Sequence, residues 1–220
     1  MKIPIRRYLH QSFKHWLGRM LSRSDIEAWL EICRHTTTSD SQPRTMKDFF
    51  DASGIHSFKG PDGLPFLRAN GDELRLVFSL SVDGFNPYQM KEAKQSVTST
   101  AIYMVCLNLP PHLRYLPHNM YLVGVIPGPT KPGTDKINHA LRPLVDELLE
   151  FWDPGVHYTR TALKPQGRHA RAAVVPVVAD LLAARQISGF GPVKHTHVLC
   201  TVCTLPQDEI EQLEYARFTA

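Results

Sequence analysis

The sequence has 220 residues, of which 43% are hydrophobic and 9% aromatic, and its net charge is +4 at neutral pH. This composition excludes a disordered chain and can support one domain with an extension, or two small domains. No stretch approaches the roughly 18 apolar residues that span a bilayer, and the N-terminus lacks the apolar segment of a secretory signal, so we expect an intracellular protein.

The first part of the chain is predicted to be helical. Apolar residues recur at the helical spacing over residues 6–21, and a second short helix follows a cap at Ser24 or Asp25. The polar stretch RHTTTSDSQPRT predicts a linker, and the Gly- and Pro-broken stretch after it predicts loop with one helical turn near Phe49. We therefore expect an N-terminal helical and loop extension over residues 1–70.

From residue 74 the pattern is typical of strands. LRLVFSLSVD, SVTSTAIYMVCLNLP and NMYLVGVIPG are rich in β-branched and aromatic residues, which predicts three strands in a meander. INHALRPLVDELLEFW predicts an amphipathic helix that is either kinked at Pro143 or begins near Leu141. The strand RHARAAVVPVVAD and a helix beginning LLAARQISGF follow. The order strand, strand, strand, helix, strand, helix predicts an α/β core over residues 71–190.

Two aspartates close predicted strands. Asp83 ends the first strand and Asp180 ends the fourth. If these strands are neighbours in the sheet, both carboxylates emerge at one edge and can hold Mg²⁺, which usually takes one or two protein carboxylates and completes its shell with water and phosphate oxygens. From the residues alone, the simpler alternatives are a turn at Asp83 and a helix N-cap at Asp180.

Several segments resemble the transposases of CACTA (En/Spm-type) DNA transposons, especially those of fungi: SVDGFNPY, AIYMVCLNLPPHLRYLPHNMYLVGVIPGPTKP, LRPLVDELLEFWDPGV, ADLLAARQISGF and HVLCTVC. The resemblance covers roughly residues 5–213, and CLNLPPHLRY and PGPTKP are its most specific pieces. It implies an RNase H-like fold of the DDE/DDD type, with Asp83 as the first acid and Asp180 as the second. It also implies DNA as the partner, catalysis with two Mg²⁺ or Mn²⁺ ions, and a nuclear location.

A third Asp or Glu usually completes the metal cage of such enzymes, far downstream on a helix. Asp208 and Glu209, near the end of this sequence, have the pattern of the exposed first turn of a helix instead. We therefore expect an incomplete DDE/DDD domain, related to DNA cleavage and strand transfer, that does not cleave DNA alone. The alternative is a non-catalytic remnant or domesticated protein that binds nucleic acid.

The sequence has four cysteines, too few for the dense disulfide framework of a small secreted domain. Cys200 and Cys203 form a Cys-x-x-Cys pair that can hold two corners of a tetrahedral Zn²⁺ site, and His197 is a possible third ligand. The resemblance implies a structural half-site in a truncated insertion over residues 191–220, and a reduced pair without metal is the alternative. The cysteines at positions 33 and 106 are expected in the core.

Basic residues indicate where DNA could bind. The first 23 residues contain six lysines and arginines and no acid, and further arginines flank the strand that leads to Asp180. A solvated surface explains the same residues equally well. No glycine-rich phosphate loop is present, since PGPTKPG has too many prolines to present a row of N–H donors. The candidate DNA contacts are Arg6, Arg7, Lys14, Arg19, Arg23, Arg168 and Arg171.

Overall fold

The structure is a computed structural model that describes residues 8–37, 45–68, 71–88, 97–129 and 132–190. Its N-terminal part contains a two-residue strand and two helices, namely β1 (Leu9–His10), α1 (Phe13–Leu21) and α2 (Ser24–Thr37). A 3₁₀ turn at Phe49–Asp51 and the short helix α3 (Ser53–Ser57) follow. The remaining elements are β2 (Leu74–Phe85), β3 (Ser99–Cys106), α4 (Pro111–Arg114), a 3₁₀ turn at Pro117–Asn119, β4 (Met120–Ile126), α5 (Thr134–Trp152), β5 (Val156–Tyr158), β6 (Arg168–Val178) and α6 (Leu181–Ile187).

The described strands form one mixed sheet in the order β1-β4-β3-β2-β6-β5. β2, β3 and β4 are the predicted antiparallel meander. After α5 the chain returns as β6, which pairs with β2 in parallel. The predicted α/β class and mixed sheet are therefore confirmed, together with the order of the main elements.

The N-terminal segment is only partly helical. A helix predicted from residue 6 begins instead at Phe13, because Ser12 caps it and accepts a hydrogen bond from the His15 N–H at 3.5 Å. The two residues of β1 before this cap pair with β4, opposite Val125 and Gly124. This part of the extension therefore joins the core sheet. α2 also continues to Thr37, into the predicted linker.

Helix α5 contains its proline in the interior. One predicted alternative placed Pro143 at a kink within the helix, and the other placed it near the helix start. In the structure the helix begins at Thr134, seven residues before Leu141, and Pro143 lies inside it. The apolar stripe explains why the helix tolerates the proline, since Ile137 and Leu144 are buried against the sheet on either side of it. The helix therefore runs through Pro143, as one of the two alternatives had it, and the alternative start near Leu141 was wrong.

Strand β6 contains a proline and a bulge at the same place. Between the registered pairs Phe78–Val174 and Leu80–Val177, β6 has one residue more than β2. Pro176 lies in this bulge, where its missing N–H breaks no regular ladder bond. The bulge therefore lets a proline-containing sequence remain a strand.

Both faces of the sheet are covered. On one face, α1, α2 and α5 pack an aromatic cluster against the strands, with the Phe13 ring 4.8 Å from Phe151 and 5.2 Å from Phe78. On the other, residues 49–67 cover Val77, and the Phe66 ring stacks on Trp152 at 5.7 Å. Burying each such ring contributes about 1.5–3 kcal/mol. None of the described helices is both long and apolar enough to cross a membrane.

Candidate active site

Asp83 lies on a strand and not in a turn. β2 continues past it to Phe85, and Asp83 stands opposite Ala101 of β3 with its side chain exposed. The turn forms later, where the Asn86 side chain accepts a hydrogen bond from the Tyr88 N–H at 2.9 Å. The interpretation of Asp83 as the first residue of the turn is therefore wrong, and the paired strand holds its backbone in place.

Asp180 is the N-cap of α6. Its Oδ1 accepts a hydrogen bond from the Ala183 N–H at 2.7 Å, and its backbone is still extended, with φ −63° and ψ 164°. The side chain is exposed. The capping role expected from the residues alone is thus present, and such caps are typically worth about 1 kcal/mol. A carboxylate has about four lone-pair sites, so the cap leaves coordination capacity on Asp180.

The two aspartates lie near the same end of two neighbouring parallel strands, Asp83 within β2 and Asp180 two residues past the end of β6. Ser81 of β2 is registered with Val178 of β6, and each aspartate lies two residues beyond this pair. The bulge in β6 matters here, because one residue more or less would move Asp180 out of step with Asp83. The carboxyl ends of β2 and β6 therefore form one edge that presents two acids, which we call the aspartate edge.

The surroundings of the aspartate edge are apolar and exposed. Phe85 and Tyr88 follow Asp83, and Leu181 and Leu182 follow Asp180. Within the described ranges, no group of three or more His, Cys, Asp or Glu side chains is arranged to hold a metal ion. The edge as described thus consists of two carboxylates between exposed apolar side chains.

Arg168 is not a DNA contact. Its guanidinium and the Glu27 carboxylate are both 0% exposed and form an ion pair at 3.1 Å, and Glu31 is a second acidic partner. Arg168 Nη2 also donates to the Asp72 carbonyl at 3.0 Å. The prediction for this residue is corrected, because a phosphate cannot reach a guanidinium enclosed by protein.

The other candidate basic residues differ in their partners. Arg171 contacts Glu73 at 3.3 Å and Asp153 at 3.2 Å, and Lys14 contacts Glu150 at 2.5 Å. These charges are already balanced by carboxylates. Arg19 and Arg23 instead line a cleft beside α1. Arg6 and Arg7 lie outside the described residues.

Comparison with known protein families identifies the chain. The sequence model of the transposase family tnp2 matches residues 65–217, which is most of the chain. The chain belongs to this transposase family. No curated protein sequence matches it. Membership implies DNA as the partner of the tnp2-family chain, and the matched range includes both residues of the aspartate edge.

The cysteines of the tnp2-family chain fall into two groups. Cys200, Cys203 and His197 lie within the family match but outside the described residues, so the Zn²⁺ half-site stays a prediction. Cys106 is fully buried, and burial raises the pKa of its thiol to about 12. Burial likewise raises the pKa of Cys33 to about 11. Cys106 lies in the core, as expected, whereas Cys33 is only half-buried and packs against the core.

Sequence reasoning missed two features of the tnp2-family chain. Glu27 is fully buried and accepts hydrogen bonds from the Thr161 hydroxyl at 2.6 Å and the Leu163 N–H at 2.7 Å. His118 lines the same cleft as Arg19, although no basic run in the sequence contains it. The only signal for Glu27 was an acid among the apolar residues of a predicted helix, which is too common to indicate burial.

Proposed function

We propose that this chain is a CACTA-type transposase protein of the fungal branch whose RNase H-like core holds a divalent cation, Mg²⁺ or Mn²⁺, at the aspartate edge. The topology supports the proposal, since a three-strand antiparallel meander followed by a helix and a strand parallel to the first is the order that the sequence resemblance implied. The family match supports DNA as the substrate. The nucleus follows as the proposed location, since the DNA is there.

The observation that carries the proposal is that Asp83 and Asp180 each follow, by two residues, the last registered pair of the parallel neighbours β2 and β6. Their exposed carboxylates are hard oxygen donors, and one or two such groups are the usual protein contribution to Mg²⁺, with water and phosphate oxygens completing the octahedron. The donor set therefore fits the cation. When bound, the cation supplies activation of a water or 3′-hydroxyl and neutralises charge on the phosphodiester.

The chain's own residues position this chemistry. Asp83 is paired with Ala101 of β3, and β2 is paired with β6 up to Ser81, so the backbone at Asp83 is held in place. The cap to the Ala183 N–H fixes the orientation of the Asp180 carboxylate and leaves its second oxygen to coordinate.

A second candidate is a non-catalytic DNA-binding protein that keeps the fold. The observation in its favour is the cap, because stabilising α6 is by itself a sufficient reason for an aspartate at position 180. The two candidates differ in one property, which is whether Asp83 and Asp180 bind a divalent cation together.

Manganese binding decides between them. We expect the chain to bind one Mn²⁺, measured by electron paramagnetic resonance of the free ion, and we expect Asp83→Asn and Asp180→Asn each to weaken binding at least tenfold. Asparagine also caps helices, so Asp180→Asn keeps α6 and removes only the ligand charge. Asp146→Asn, an exposed acid on α5, is the matched control. Unchanged Mn²⁺ binding in both edge variants would refute the site.

Supercoiled-plasmid nicking tests cleavage separately. Two-metal catalysis needs both ions held at once, and two carboxylates leave the cage open. We therefore expect the chain alone to leave the plasmid intact with Mg²⁺ or Mn²⁺. Nicking that disappears in Asp83→Asn would contradict this expectation and rule out the non-catalytic candidate.

A further inference from the structure

A basic cleft lies between the last turns of α1 and the 3₁₀ turn that leads into β4. Its volume is about 360 Å³, and none of the described residues that line it is acidic. This size is at the small end of the range of ligand pockets, about 300–1,000 Å³. We call it the α1 cleft. Its main lining residues are Gln11, Trp16, Arg19, Arg23, His118 and Met120.

Arg23 is held in place by a buried asparagine. Its Nη1 donates to Asn119 Oδ1 at 2.7 Å, and the fully buried Asn119 in turn donates from Nδ2 to the Leu113 carbonyl at 2.9 Å. Asp25 lies 3.6 Å from Arg23 Nη2 but is 69% exposed, so this ion pair is weak. The guanidinium is therefore oriented before any ligand arrives, which lowers the entropy cost of binding.

Arg19 lies in the last turn of α1, and Arg23 lies two residues past the end of that helix, beside the same cleft. Its nearest polar neighbour is neutral, since the Gln11 side chain accepts from Arg19 Nη2 at 2.5 Å in the amide orientation that satisfies both ends of that group. Among the described residues no carboxylate forms an ion pair with it. His118 is exposed on the opposite wall of the cleft. Two guanidiniums and an imidazole thus converge on one opening.

The arginines of the α1 cleft are less neutralised by carboxylates than the other candidate basic residues are. Lys14, on the same helix, contacts Glu150 at 2.5 Å, whereas Arg168 and Arg171 have the acidic partners given above. Cations near a helix C-terminus also interact favourably with the helix dipole. That effect explains a basic residue at position 19 or 23, but it does not explain the histidine on the far wall or the lack of acids between them.

We propose that the α1 cleft binds a phosphodiester of the DNA backbone through Arg19 and Arg23, with His118 on the opposite side. The planar guanidinium matches phosphate oxygens and binds them in pairs. The proposal rests on DNA as the partner in the proposed function, and it is independent of the metal site. Met120 at the cleft is level with Val105, and hence with Ser79, which is four residues or about 13 Å from Asp83 along the strand. Because β3 separates β4 from β2, the cleft is farther than this from Asp83, and a contact there would position DNA and take no part in its chemistry.

DNA binding without metal tests this proposal. Fluorescence anisotropy with a labelled 25-base-pair duplex, in EDTA and at 50–200 mM NaCl, compares the parent chain with Arg19→Gln/Arg23→Gln. We expect the affinity to fall at least tenfold. The slope of log K against log salt should become shallower by about 1.8, because each phosphate contact contributes about 0.9.

The matched control is Lys136→Gln/Arg142→Gln, which removes the same two charges from α5. Arg142 is 75% exposed and pairs only with the neighbouring Asp146 among the described residues, and we expect this variant to bind within twofold of the parent. Equal weakening in both double variants would show a general charge effect and overturn the proposal. An unchanged salt slope in the cleft variant, or no DNA binding by the parent, would overturn it as well.

Two further measurements separate folding and ligand identity. Since Arg23 is tied to Asn119, its loss could loosen the fold, so Arg19→Gln alone serves as a second variant, with thermal unfolding to check stability. A salt slope about 0.9 shallower supports the proposal, and an unchanged slope counts against it.

Titration with inorganic phosphate distinguishes the source of the phosphate. Saturable phosphate binding that duplex DNA does not compete for would refute a DNA site. EDTA keeps all these results independent of the aspartate edge.

Discussion

Arg168 and Glu27 illustrate how the role of a charged residue depends on partners that the local sequence does not show. They are 141 residues apart in the chain, yet each side chain is enclosed by protein and they share a hydrogen bond. Thr161 and Leu163 add donors to the same carboxylate. Such a network fixes α2 against the start of β6, because every member requires the others to be in position.

Removing one partner of this buried ion pair should lower the stability of the fold substantially. We expect Arg168→Met to lower the free energy of unfolding by about 3–5 kcal/mol, since it leaves Glu27 buried without its cation. Urea denaturation followed by circular dichroism measures the change. Adding Glu27→Gln should recover part of the loss, because the remaining amide is neutral. Arg142→Met, at an exposed surface pair, should change stability by less than about 1 kcal/mol. Equal stability of Arg168→Met and the parent would contradict the buried network.

The aspartates and the arginines differ in how far sequence could predict them. Asp83 and Asp180 could be placed near strand ends because each follows a long apolar run, although β2 continues to Phe85 and β6 ends two residues before Asp180. Their acidic side chains at strand ends were visible without knowing what the strands pair with. Arg168 is in the same kind of position, beside a strand, but its charge is balanced by Glu27 on a helix far away in the chain. Spacing along the sequence carries no information about that contact.

At the level of elements, the spacing of apolar residues predicted the long strands and helices and missed the short strands. β2, β3, β4, β6 and α5 each contain a clear apolar repeat, and each was found. β1 and β5 have two and three residues, and they are strands only because β4 and β6 supply hydrogen-bond partners. The start of α5 was left open between two alternatives for a different reason, since Pro143 disfavours a helix locally while burial of its apolar stripe favours one.

Pro143 offers a test of that competition. A proline inside a helix removes one backbone hydrogen bond and costs up to about 3 kcal/mol relative to alanine. We expect Pro143→Ala to raise the free energy of unfolding by about 1–3 kcal/mol, measured by urea denaturation. Lys136→Ala, at an exposed position of the same helix, should change it by less than about 0.5 kcal/mol. A less stable Pro143→Ala variant would mean that the proline shapes the packing of α5 on β6.

For the whole molecule, burial of weak acids predicts sensitivity to alkali. Burial raises the pKa of Cys106 to about 12 and of Cys33 to about 11, from 9.0, and it raises the pKa values of Tyr121 and Tyr158 as well. A group whose pKa is higher in the folded state releases its proton more readily when the chain unfolds. Its contribution to stability is therefore complete below the unfolded pKa and is lost as pH rises through the folded value.

We accordingly expect the free energy of unfolding to fall steadily between about pH 9 and pH 12, measured by urea denaturation at each pH under reducing conditions. Cys106→Ala should show a shallower decline than the parent over the same window, although the substitution lowers stability at neutral pH. Stability that stays level up to pH 11 would contradict the burial of these groups.

Strand β2 is paired by a near neighbour on one side and by a distant one on the other. Phe85 and its partner Ser99 in β3 are 14 residues apart, whereas Leu74 and its partner Ala170 in β6 are 96 residues apart. Closing the longer loop costs about 1.7 kcal/mol more in chain entropy, by the logarithmic dependence on loop length. The meander can therefore assemble first, with one edge of β2 open until β6 arrives. Since Asp83 and Asp180 depend on the pairing of β2 with β6 for their relative position, we expect the aspartate edge to form late, in a chain that is already largely folded.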